Sequence, residues 1–395
     1  MKHRLKGLLA LGLSLVMVLS MVTVSTASQP SDSGSAPTTY PVSIGGVGLT
    51  SANISNYTGV SFVPADGDNP ATLTLNDFTH NGTEIGISAD VDLIIKLIGE
   101  NNTITTTSDK GISVIGNLTI EGSNGKVTAT GVKYGIYANS ITIKGATVTA
   151  TGDEAGIHSD KTITITGGTV TATGDEDCGI YTEDGNVTIS GGTVKATGEK
   201  YGIFANNVFH SGGMKVTISG GSVEAYADDG SDGIGIYAPS GEIAISGDNT
   251  QVTVGCATGL KASTVNIHEN STVTITTNAT APAVGKAIDA TTLNFGGNWY
   301  QWSENGGSVN ISSNTNQLTV DAAKGVQTLT IEKISTGGQG TATPQPPTYY
   351  PIYIPTVEDE PEVTAPNTFD GGIASAVVVT FLSATGGAWL AKKKD

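Results

Sequence analysis

Five ring-bearing side chains recur at one place in a repeated phrase. Tyr137, His158, Tyr181, Phe204 and Tyr237 each follow a Gly-Ile pair, at steps of 21, 23, 23 and 33 residues, and Lys261 takes the same place after Gly259-Leu260. If the phrase is one turn of a solenoid, these side chains fall on successive coils in a single outward column. Flat rings with a polar edge suit the apolar face of a sugar, and an exposed apolar patch commonly marks a contact surface. The expectation is a polysaccharide platform. Cross-coil stacking that only stabilises a sheet is the competing reading.

A second set of residues is rich in oxygen. Asp153 with Glu154, Asp175 and Asp177 with Glu176, Glu199, and then Asp228, Asp229 and Asp232 occupy the turn that ends each repeat. Stacked coils bring such carboxylates close, and like charges there oppose one another's ionisation. A Ca2+ ion with oxygen ligands would relieve that repulsion. The spacing matches no helix–loop–helix calcium loop, so solvated turns are the alternative.

Such placements need a scaffold that repeats. The Gly-Ile/Leu element lies at 111–112, 135–136, 156–157, 179–180, 202–203, 235–236 and 259–260. Each is followed by an aliphatic-x-aliphatic triplet, such as Ile163–Ile165, and then by a second, such as Val170–Ala172. Short period-2 segments bounded by Gly and Asp, with no helical period between them, read as strands. Three strands per coil of about 21–24 residues predict an all-β chain folded as a right-handed parallel β-helix over residues 42–334. Atypical coils and caps are expected at its two ends. Ile163, Ile165, Val170, Ala172, Cys178 and Ile180 are expected to point inward, Thr164 and Thr171 outward. The Gly pairs at 167–168, 191–192 and 220–221 mark a corner that needs positive φ. Cys178 and Cys256 lie more than two coils apart in this register, too far for a disulfide.

The ends of the chain read differently. Residues 1–27 have a basic start, an apolar run and small residues at Ser25–Ala27, the pattern of a secretory signal peptide, followed by a linker over 28–41. Residues 335–366 are rich in Pro and form a spacer that reaches on the order of 100 Å when extended. In 367–395 the apolar run Ile373–Leu390 is followed by Lys392–Lys394. That run spans about 27 Å as a helix, enough for a membrane segment with its lysines inside. Extracellular, surface-anchored placement is therefore expected.

Between these ends thirteen lysines (Lys96 to Lys333) face 35 carboxylates, and the sole arginine is Arg4. An acidic, arginine-free surface argues against nucleic acid as a partner and leaves cations and neutral sugars. The coil beginning at Gly202 is about ten residues longer than the others, and its Phe209, His210 and Met214 form either a surface flap or a ligand clamp. Trp299, Tyr300 and Trp302, near the degenerate C-terminal coils, are expected to form a cap over exposed core, with Trp302 as an alternative second sugar contact.

The units "GIYANSITIKGATVTATG" and "CGIYTEDGNVTISGGTVKATG" resemble surface β-helix proteins of Gram-positive anaerobes that are classed as carbohydrate-binding domain proteins. The resemblance covers roughly residues 85–300 and implies a parallel β-helix that binds glycan at the cell surface. The tail is similar to a sortase-type wall-sorting signal, with Pro366 and Thr368 at its Pro-x-Thr and with Ala365 and Phe369 departing from the usual pattern. Polysaccharide lyases and polygalacturonases share the β-helix, but the arginine on which those chemistries lean is absent after Arg4. A minimal glycosidase would need two carboxylates about 5–10 Å apart, for which Asp175 and Glu183 are the candidates. A non-catalytic binding protein is the expectation, and a structural stalk or protein adhesin without a sugar site is its rival.

Overall fold

The structure is a computed structural model that describes residues 36–207, 213–229, 232–268, 270–277, 285–295, 300–305, 309–312, 317–320 and 327–333. Within it, alternation of aliphatic residues with Thr produces strands whose aliphatic members are buried and whose Thr members are half-exposed, as in Ile163–Ile165 and Thr169–Gly174. Each coil contributes three such stretches, and each stretch pairs in parallel with its counterpart one coil on. The third stretch is the most regular. Nine strands, from Thr79–Gly82 to Ser271–Thr277, pair in unbroken succession among the described residues. Val148, Val170, Val194, Val223 and Val252 form one inward column, and Ala150, Ala172, Ala196, Ala225 and Val254 the next. All are essentially inaccessible to water. Stacking like on like lets one continuous apolar core run through the coils. The expected all-β parallel β-helix is the observed fold.

The boundary between the first and second stretch varies. In Tyr134–Lys144 and Ile234–Ile245 the two run on as one bent strand, and the register slips at the bend, between Ala138 and Ser140 and between Ala238 and Glu242. In the coils between these, the stretches separate, as in Ala155–Ser159 and Ile163–Ile165. The corner before the third stretch is uniform: Gly168, Gly192 and Gly221 have φ of 89°, 87° and 83°, the left-handed backbone expected of the second glycine in each pair.

Cys178 is fully buried, as the inward assignment expects. It sits in the corner column Tyr134–Ala155–Cys178–Tyr201–Ile234, beside the main apolar cluster. The coil-to-coil pairing skips Gly179, where the chain turns. Cys256 does belong to the core, and both cysteines are free.

Antiparallel strands close the stack. Thr39–Ile44 pairs with Ile87–Ala89, and Val60–Val63 with Ala71–Leu75. At the other end Gln317–Val320 lies on Gly285–Phe295, and Gln327–Lys333 on Ser271–Thr277. An antiparallel cover occupies the edge that would otherwise template further pairing. Among the described residues no helix is long and apolar enough to cross a membrane. Segments 1–27, 335–366 and 367–395 lie outside the described residues, as do Phe209, His210 and Trp299.

Candidate functional site

The first stretch of each coil delivers the ring column in register. Tyr137 pairs with His158, His158 with Tyr181, Tyr181 with Phe204, Phe204 with Tyr237, and Tyr237 with Lys261. Consecutive ring centroids lie 5.3, 4.8, 5.3 and 5.0 Å apart, close to the rise of about 4.8 Å per coil. Two further tyrosines join the row from across the Gly corner. Tyr134 lies 5.8 Å from Tyr137 and 4.5 Å from His158, and Tyr201 lies 4.6 Å from Phe204 and 5.6 Å from Tyr237. Their signal was present in the sequence as ring-Gly-Ile-ring, at Tyr134–Tyr137 and Tyr201–Phe204. The coil after Tyr134 has only Ala155 at that place, which leaves room for the Tyr134 ring to lie against His158.

The row differs from an open platform in its orientation. From Tyr181 to Tyr237 successive rings are inclined by 37° and 18°, so their faces are turned toward one another and their edges toward solvent. Each end is closed by a cation: Lys110 Nζ sits 4.8 Å from the Tyr137 centroid, and Lys261 Nζ sits 5.4 Å from that of Tyr237. Along this stretch the rings contact one another. The groups presented outward are polar. Tyr134 OH donates to Glu154 Oε2 at 2.7 Å, Tyr137 OH donates to Asp160 Oδ2 at 2.7 Å, and Asn206 Nδ2 donates to Tyr181 OH at 3.1 Å. Burial and the carboxylate partner push the Tyr137 phenol up to about 12, so it stays a hydrogen-bond donor.

His158 is the exception to outward exposure. It is only 6% exposed, covered by Tyr134, Tyr137 and Tyr181. Burial pulls its pKa down to about 4, against the opposing pull of Asp160 and Glu154, so the ring is neutral near pH 7. Neither ring nitrogen has a hydrogen-bond partner, and Nε2 is 3.9 Å from Asp160 Oδ1. His158, Asp160 and Glu183 offer ligand atoms that all lie within 4.8 Å of one another. Neither Asp160 nor a metal role for Glu183 was picked from the sequence.

The acidic turns are arranged otherwise. Asp153, Asp175, Glu199 and Asp228 each follow the last residue of a third stretch, and those last residues pair coil to coil. Asp175, Glu199, Asp228 and Asp229 line a surface cleft of about 440 Å3 with Thr173 and Thr197. Asp177 is instead 3.4 Å from Lys200 Nζ, and the Asp232 amide donates to Asp229 Oδ1 at 3.3 Å. Among the described residues, the set of three His, Cys, Asp or Glu side chains that converges closely is the His158 one, not any three of these aspartates. Glu183, expected as a partner of Asp175, belongs to that set. Met214 packs against the core. Trp302 lies on Tyr300–Asn305, opposite Ile331, in the sheet of third stretches and not in the sheet that carries the ring row.

Parallel three-stretch coils around an Ile/Val/Ala core define a parallel β-helix protein. A family model described as a beta helix repeat matches residues 141–160, 163–180, 187–206 and 216–235, a span that includes His158, Tyr181 and Phe204. No curated protein and no solved structure matches the chain.

Proposed function

We propose that the chain is a non-catalytic, exported β-helix that binds polysaccharide lengthwise along the ring row. The observation that carries this reading is a seven-ring row, from Tyr134 and Tyr137 to Tyr237, edged with phenol–carboxylate and phenol–amide hydrogen bonds. Two coils span about 9.6 Å, near the repeat length of a disaccharide in an extended β-linked glucan. Because the ring faces are occupied, recognition runs through the edges, with phenols and carboxylates exchanging hydrogen bonds with sugar hydroxyls. The acidic surface disfavours anionic polymers, and the signal-like and anchor-like ends point to display at the cell surface, through membrane or wall.

Tyr137→Phe, Tyr181→Phe and Tyr237→Phe combined keep the stack and remove three hydroxyls. Retention of the full-length chain on insoluble glycans is expected to fall at least tenfold, while the melting temperature changes little. Retention equal to wild type would sink the hydroxyl-edge mechanism. The ring–ring stacking itself favours a second reading, a structural stalk or protein adhesin in which the row only stiffens the coils. Silence of the wild-type chain on a broad glycan array would establish that reading over the first.

A further inference from the structure

We propose that His158, Asp160 and Glu183 form a binding site for a divalent first-row metal ion of the Zn2+ type. Two independent observations meet at this point. Three potential ligand atoms lie within 4.8 Å of one another. The imidazole among them is more than nine-tenths buried with both nitrogens unpartnered. A buried polar group without a partner is costly and uncommon in folded proteins, and 3.9 Å from Nε2 to Asp160 Oδ1 is too long for a hydrogen bond to relieve it. A metal ion between them would satisfy the nitrogen and both carboxylates together.

The surroundings suit such an ion. Asp160 is held from its far side, since Oδ2 accepts from Tyr137 OH at 2.7 Å while Oδ1 faces His158. Partners of this kind orient a ligating carboxylate. Glu183 comes from the next coil, where its amide donates to Ser159 O at 2.9 Å, so the ion would tie two coils together. Ligands about 2.0–2.1 Å from a tetrahedral ion lie roughly 3.3 Å from one another. The half-exposed carboxylates therefore close by about 1.5 Å at most, within the range of rotamer adjustment. A mixed imidazole–carboxylate set favours Zn2+ over Ca2+, which takes six to eight oxygens. Three protein ligands leave a fourth position for water or an added ligand.

The experiment uses the full-length chain, stripped with EDTA and titrated calorimetrically with Zn2+ and, separately, Ca2+. One Zn2+ per chain is expected, with affinity at least tenfold weaker in Glu183→Gln and in His158→Gln, and with no comparable Ca2+ uptake at this site. Co2+ titration gives a second readout, a visible absorption band of low-coordinate N/O ligation that is present in wild type and lost in both variants. Glu183 is not part of the core, so Glu183→Gln carries the test if His158→Gln does not fold. Absence of Zn2+ uptake by wild type, or undiminished affinity in a folded Glu183→Gln chain, overturns the site.

Discussion

Gly156→Ala is expected to cost about 3 kcal/mol or more of folding stability, whereas Gly167→Ala, eleven residues away, should cost less than about 0.5 kcal/mol. A methyl group on Gly156 would collide with the Thr173 amide and would lie 2.7 Å from Ala150 O and 2.8 Å from Ala172 C, all of them backbone atoms. Backbone that is itself hydrogen-bonded into the third-stretch sheet cannot rotate aside. Nor can the problem be handed to the next coil. Gly111, Gly135, Gly179 and Gly202 face the same kind of contact, each with the following glycine's carbonyl 2.7–2.8 Å from an added Cβ. Around Gly167 the nearest atom is 3.8 Å away, so a methyl group meets only ordinary van der Waals contact. Each variant adds one methyl in one coil, and at about 2–4 °C per kcal/mol for a domain of this size class their melting temperatures should part by roughly 5–10 °C or more. Circular dichroism melts of both chains measure this. Equal melting temperatures would show that the corner has slack that the structure does not. The contrast also explains why the phrase begins with Gly-Ile: the glycine lets the first stretch pass close to the third.

Much of this was legible from residue order. Ile163 and Ile165 inward, Thr164 outward, and left-handed Gly168, Gly192 and Gly221 follow from period two and from corner chemistry. The steps of 21–24 residues put Tyr137, His158, Tyr181 and Phe204 in one column because coils must match their neighbours in register. What residue order does not show is decided by side-chain direction and by contacts between coils. The column was expected to offer rings to a sugar, and from Tyr181 to Tyr237 the rings, about 5 Å apart, turn their faces to one another. His158 was expected outside with the tyrosines, but Tyr134, one coil earlier and across the glycine, covers it. Aspartates crowd the end-of-repeat turns, so cation binding was sought there. The close convergence of His158, Asp160 and Glu183 lies elsewhere, on acids outside those turns.

The burial of His158 has a consequence for stability in acid. In metal-free buffer the wild-type chain is expected to lose about 3 kcal/mol between pH 6.5 and pH 4 through this one residue. Its folded pKa is near 4, below the ordinary value of about 6.5 that it regains on unfolding. Between those values the unfolded chain holds the extra proton, so stability rises with pH across the window and falls as pH drops through it. Above 6.5 the contribution is constant, and below 4 there is no further loss from this group. The groups facing the imidazole pull in opposite directions. Asp160 and Glu154 favour the cation and Lys110 opposes it, but removal from water outweighs them all. Tyr134, Tyr137 and Tyr181 supply that removal with neutral rings, and Glu183 stands close by on the next coil. His158→Phe keeps a ring of similar size in the stack and removes the titration. Urea denaturation of both chains at several pH values between 7 and 4.5, with EDTA throughout, isolates the difference, because every other carboxylate and histidine is common to the two. The wild type should lose up to about 1.4 kcal/mol per pH unit relative to the variant. Parallel curves would mean that Asp160 and Glu183 let the folded imidazole keep its proton, and that the covering rings admit water to it.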